Sequence, residues 1–179
     1  MSRPDSSRSL NLPSLANGGQ PLNGTALLQN LERLAHEMIG LNPDLPVTWQ
    51  AGAELRTGKA GQQDIWLHLQ ASTSLPMTCQ RCMGEVLVPL QVDQWYRFVA
   101  SEDIAMAEDD ASEEDLLVMA PQFDLMALLE DELLMALPLV PMHGECPVMP
   151  AFSAGVIDPP DLVAEKPNPF AALAGLKKI

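Results

Sequence analysis

The chain has 179 residues, 47% of them hydrophobic but only 4% aromatic, and a formal net charge of −14 at neutral pH. That length suits one ordinary domain with an aliphatic core plus tails. So acidic a balance excludes a surface that binds nucleic acid mainly by covering phosphates with Lys and Arg. The start, Met1-Ser-Arg-Pro-Asp-Ser-Ser-Arg8, carries no apolar leader core, and the apolar run Leu133–Met142 is short and broken by Pro138 and Pro141. The expectation is a soluble cytoplasmic protein without a membrane partner.

Residues 1–22 are rich in Ser, Asn, Pro and Gly and are expected to form a disordered tail. Residues 23–146 are expected to form a single α+β domain. Leu27, Leu28, Leu31, Leu34, Ala35, Met38 and Ile39 recur at helical spacing, with Thr25 as cap and Gly40 as stop. From Val47 the period changes to two, with Val47, Trp49, Ala51, Ala53 and Leu55 on one side. A turn at 57–61 leads to a second strand through Ile65, Leu67 and Leu69, and a third carries Leu75, Met77 and Cys79. Pro76 removes a ladder donor there, which places that strand at an edge or bulge. Val86, Val88, Leu90 and Val92 alternate in the next strand.

Eight of the 24 acidic residues fall between Glu102 and Asp115. This reads as a self-repelling solvated loop at 102–115, serving solubility alone or docking a basic partner. Leu116–Met119 adds a short strand. Asp124 then caps a helix with Leu125, Leu128, Leu129, Leu133 and Ala136 inward and Glu130 and Asp131 in solvent, until Pro138. Residues 147–165 read as a Pro-rich linker. Residues 166–179 read as a short basic helix, with Asn168 as cap and Pro169 at its first position. Short connections imply an antiparallel β-meander of four to five strands packed with two main helices, plus that C-terminal helix.

All three cysteines lie in two pairs spaced by two residues, Cys79-Gln-Arg-Cys82 and His143-Gly-Glu-Cys146. Three thiolates and an imidazole are a ligand set for structural zinc, each pair binding from a tight turn, with Gly84 free to take positive φ after the first. Plain packing competes with this reading, since a free cysteine is often a small buried apolar residue. A redox role for Cys79 and Cys82 conflicts with the strand that follows them, because redox pairs sit at a helix N-terminus. No Gly-rich phosphate loop, nucleophile elbow or HExxH motif is present, and no small-molecule substrate is suggested.

Three segments go beyond periodicity: Cys79-Gln-Arg-Cys82, Glu130-Asp-Glu-Leu-Leu-Met-Ala-Leu-Pro-Leu-Val-Pro-Met-His143 and Lys166-Pro-Asn-Pro-Phe-Ala-Ala-Leu-Ala-Gly-Leu-Lys177. In this order they resemble the bacterial YceD family, the large ribosomal RNA subunit accumulation proteins. The resemblance implies a non-enzymatic accessory factor in the synthesis, processing or stability of the large-subunit (23S) ribosomal RNA. Its partners would be large-subunit ribosome precursors, met through ribosomal proteins or rRNA. Partner contacts are expected from Arg81, the acidic loop, and Lys166, Asn168, Phe170, Lys177 and Lys178 in the compact basic C-terminal segment. The competing class is a zinc-dependent or thiol-redox RNA-processing enzyme.

Overall fold

The computed structural model describes residues 6–40, 42, 44–58 and 61–147. The expected linker beyond Pro147 and the C-terminal segment with Lys166, Asn168, Phe170, Lys177 and Lys178 lie outside them.

Structure begins earlier than the expected tail allows. After a 3-10 turn at Ser6–Arg8, Asn11 caps α1 (Leu12–Gly18) by accepting the Ser14 amide at 2.8 Å, and Gly19 closes the helix at φ +63°. Leu10, Leu12 and Ala16 are buried, and Leu10 and Phe123 exchange backbone hydrogen bonds of 2.8 and 3.0 Å. Three apolar anchors in a polar stretch are enough to dock it, although its composition resembles that of a disordered segment.

The helix expected from Leu27 to Ile39 is divided. Leu22–Leu27 form a strand, β1, with Thr25 inside it and not at a cap. A 3-10 turn at Leu28–Asn30 and a five-residue helix, α2 (Glu32–His36), follow. Leu28, Leu31 and Leu34 are still buried at a spacing of three, which suits a 3-10 turn as well as a helix. The deciding term is tertiary: β2 (Pro46–Thr57) offers β1 an antiparallel edge from Ala51 to Pro46. Gly24 faces Trp49 across that pair, and a Cβ there would stand 2.8 Å from the indole.

β3 (Gln63–Thr78) and β4 (Glu85–Val99) continue the antiparallel ladder, pairing Trp49 with Ala71 and Leu67 with Tyr96. Pro76 sits in the half of β3 beyond the last β2 partner, Ser72, where only β4 flanks it. Its carbonyl points away from β4 to accept the Ile39 amide at 2.8 Å, so the donor it lacks is on the open side.

The acidic segment is not a loop. Ser101 caps α3 (Glu102–Glu108), whose first-turn Glu102 and Asp103 suit the positive end of the helix, and a 3-10 turn at Asp109–Ala111 follows. Arg97 of β4 offsets the repulsion, lying 3.5 Å from Asp64, 2.6 Å from Glu108 and 3.4 Å from Glu114. This crossover brings β5 (Asp115–Val118) alongside β4 in parallel, so the five-stranded sheet, ordered β1-β2-β3-β4-β5, is mixed and not a pure antiparallel meander.

Asp124 caps α4 (Leu125–Met135) by accepting the Ala127 amide at 3.0 Å. Leu125, Met126, Leu129 and Leu133 join Leu67, Leu69, Tyr96 and Phe98 of the sheet in one core. The acidic triplet of α4 does not form a single solvated face. Glu130 accepts the Arg33 and Leu34 amides at 2.7 and 3.2 Å, Asp131 is exposed beside Arg33, and Glu132 is buried. None of the described helices is long and apolar enough to cross a membrane.

Candidate metal centre

The β3–β4 turn brings the first pair of cysteines together. Cys79 donates its amide to the Gly84 carbonyl at 2.8 Å, and Met83 returns a bond to the Cys79 carbonyl at 2.9 Å. The residue that takes positive φ in this turn is Met83, at 60°, and not Gly84. Its side chain is 71% exposed, so the left-handed backbone costs no packing.

Pro138 ends α4, and the chain after it runs back to this turn. Pro141 is buried and accepts the Gln80 amide at 2.9 Å, which sets His143 and Cys146 opposite Cys79 and Cys82. The ligand atoms of these four residues all lie within 4.8 Å of one another. Cys79 Sγ is 3.8 Å from Cys146 Sγ, and Cys82 Sγ is 3.4 Å from His143 Nδ1. A tetrahedral zinc centre, with bonds of about 2.3 Å to sulfur and about 2.0 Å to nitrogen, separates two sulfurs by about 3.8 Å and a sulfur from a nitrogen by about 3.5 Å. The observed spacings match that geometry and exclude a disulfide, whose sulfurs lie at about 2.05 Å. The three Cys and one His can hold a metal ion.

Electrostatics prepare the sulfurs as ligands. Burial opposes a Cys79 thiolate, but the backbone amides of Cys82, His143 and Arg81 face the sulfur and hold its pKa down at about 5. The His143 amide is 3.4 Å away. At Cys82 the Gly84 amide favours the thiolate, but burial and the sulfurs of Cys79 and Cys146 outweigh it and push the thiol up. Three thiolates this close repel one another, and a divalent cation is the group that removes the conflict. Arg81 adds positive charge at the rim: its Nε donates to Cys146 Sγ at 3.0 Å, and its Nη2 donates to the His143 and Gly144 carbonyls at 2.9 and 3.1 Å. The residue expected to reach for a partner thus commits its guanidinium to the loop that carries the second ligand pair.

The two-residue spacing within each pair points to these four residues. Sequence reasoning missed Arg81 as the brace of the loop and Pro141 as the hinge that returns it to the hairpin. Arg81 lies inside the Cys79-x-x-Cys82 interval, and Pro141 stands two residues before His143.

Fold and site together define an α+β domain in which a β-hairpin knuckle and the loop after a helix share a three-cysteine, one-histidine centre. The chain belongs to the YceD family, described as large ribosomal RNA subunit accumulation proteins, and the match covers residues 67–177. It is 33% identical over 151 residues to the large ribosomal RNA subunit accumulation protein YceD of Haemophilus influenzae, covering 83% of this chain and 82% of that protein. No solved structure matches the chain.

Proposed function

We propose that this protein is a cytoplasmic accessory factor for accumulation of the large-subunit (23S) ribosomal RNA, acting by binding and not by catalysis, with one structural zinc ion. Its partners are large-subunit precursors, through ribosomal proteins or rRNA. The family match over residues 67–177 carries this reading.

The centre supports a bracing role. Cys79, Cys82, His143 and Cys146 supply all four positions of a tetrahedral zinc, which is the closed arrangement of structural sites, whereas catalytic sites keep one position for water or substrate. Bound zinc supplies a cross-link between the β3–β4 turn and the loop after α4. A redox reading is disfavoured by burial, since Cys79 is fully inaccessible and its pair lies between two strands.

Depletion of the protein in cells, with sedimentation of ribosomal particles and quantification of 23S precursor and mature RNA, tests the role. A shortage of mature RNA, with the protein co-sedimenting with large-subunit precursors, is expected; unchanged precursor and mature levels would sink the proposal. Elemental analysis of the purified full chain tests the ion separately. One zinc per chain, lost in Cys82→Ser, is expected, and a metal-free wild type would remove the zinc.

A further inference from the structure

The sheet face turned away from the core carries a row of rings and guanidiniums that the metal centre does not use. The register sets it: Glu54 pairs with Trp66, Trp66 with Arg97, and His68 with Trp95, while the alternate residues Leu67, Leu69 and Tyr96 are buried. Trp66 and Trp95 stand edge to face, with centroids 6.4 Å apart. The Arg56 guanidinium lies over both indoles, 4.3 Å from one centroid and 4.1 Å from the other, and donates from Nε to Glu54. His68 stacks on Trp95 at 4.3 Å, with its Nε2 2.6 Å from Asp93 Oδ1. Beside this ridge opens a hollow of about 620 Å³, walled in part by Asp64, Trp66, Arg97, Glu108, Glu113 and Glu114.

Two indoles among carboxylates form a receptor for a planar cation: the rings offer their negative faces, and the carboxylates accept its N–H groups. Arg56 demonstrates the fit from within the chain. Around it, the carboxylates of Glu54, Asp64, Asp93, Glu108, Glu113 and Glu114 outnumber the guanidiniums of Arg56 and Arg97, so the region stays negative even with Arg56 in place.

We propose that this face docks an arginine-rich segment of a basic partner protein, one guanidinium stacking on Trp66 and Trp95 where Arg56 now lies and neighbouring cations entering the acidic hollow. Charge complementarity selects this occupant over single-stranded RNA. Half-buried indoles do suit bases, but Arg56, His68 and Arg97 each already contact a carboxylate and do not supply the positive groove that tracks phosphates. Arginine is preferred to lysine because the planar guanidinium stacks and binds carboxylates through two donors, whereas ammonium is a compact, strongly hydrated charge.

The inference deepens the binding role proposed above, yet its test uses purified full chain and is independent of any rRNA phenotype. Titration with a nona-arginine peptide, read by tryptophan emission and calorimetry, is expected to give saturable one-to-one binding, tighter than a nona-lysine peptide of equal charge. Trp95→Leu should weaken it about tenfold, and Arg56→Ala should tighten it by vacating the rings. Glu85→Gln, which removes a charge at the far end of β4, should change nothing. Equal affinity for the two peptides, or indifference to both Trp95→Leu and Arg56→Ala, would reduce the effect to attraction by a net charge of −14 and overturn the proposal. Oligouridylate that binds this face and resists displacement by nona-arginine would overturn it in favour of RNA. Loss of peptide binding alongside an intact rRNA phenotype would remove this site and leave the wider role standing.

Discussion

Glu132, at 8% exposure, is the one buried charged residue among the described residues. Burial raises its pKa, the Tyr96 hydroxyl partly offsets this, and the nearby Asp115 and Asp131 carboxylates push further upward. A carboxyl whose folded-state pKa lies above its unfolded value contributes stability below the unfolded value and loses it as pH rises through the folded one. At neutral pH, therefore, the ionised carboxyl is disfavoured in the folded state relative to the unfolded one. Glu132→Gln keeps the shape and removes the charge, so its melting temperature should exceed the wild type's at pH 7.5, with the gap narrowing towards pH 4. An equal gap at both values would show that the carboxyl is not strained by burial. The acidic triplet of α4 hides this residue in the sequence, because a run of Glu-Asp-Glu reads as solvated. The cysteines were legible for the opposite reason, since their spacing reflects ligand geometry whichever residues surround them.

At the scale of elements, β2, β4 and α4 were legible because period-two and period-3.6 patterns coincide with burial there: Val86, Val88, Leu90 and Val92 all point inward, and so do Leu125, Leu129 and Leu133. The two strands expected through Ile65–Leu69 and Leu75–Cys79 are instead one, β3, because its polar middle still pairs with β2 and β4 without a turn. The N-terminal third was not. Leucines 28, 31 and 34 carry a helical spacing, but pairing of β1 with β2 decides the backbone just before them. What fixes α2 comes from far along the chain: Glu130 of α4 accepts the amides of Arg33 and Leu34 at the start of α2, at 2.7 and 3.2 Å, and Arg33 Nη2 lies 3.0 Å from its Oε2. Asp131 also reaches Arg33, but both side chains are about half exposed, where solvent screening leaves an ion pair worth under about 1 kcal/mol. Bonds from amides to a charged acceptor are worth about 1.5–3 kcal/mol. Denaturant unfolding should therefore show Glu130→Ala costing about 2 kcal/mol and Asp131→Ala well under about 1. Equal losses would mean that the two carboxylates act only through the shared arginine.

The described domain combines a sheet-and-helix core with a candidate metal centre at the end of the β3–β4 hairpin. Leu67, Leu69, Tyr96, Phe98, Leu125 and Leu129 bury a continuous core among β3, β4 and α4, and the hydrophobic effect stabilises that part without a metal. The loop after α4 has weaker support. Leu139 is fully exposed, Val140 and Met142 are about half exposed, and the loop's return rests on Pro141, on the Arg81 fork and on the four ligands. Zinc binding free energy is folding free energy only for the part of the chain that needs the ion to close. Chelation should therefore open the molecule locally: amides at 79–84 and 138–147 should exchange faster, while those at the centre of β3, such as Leu67 and Leu69, stay protected and the far-ultraviolet dichroism persists. Full loss of dichroism on chelation would place the ion at the heart of the fold. No change in exchange at 138–147 would show that Pro141 and Arg81 hold the loop unaided.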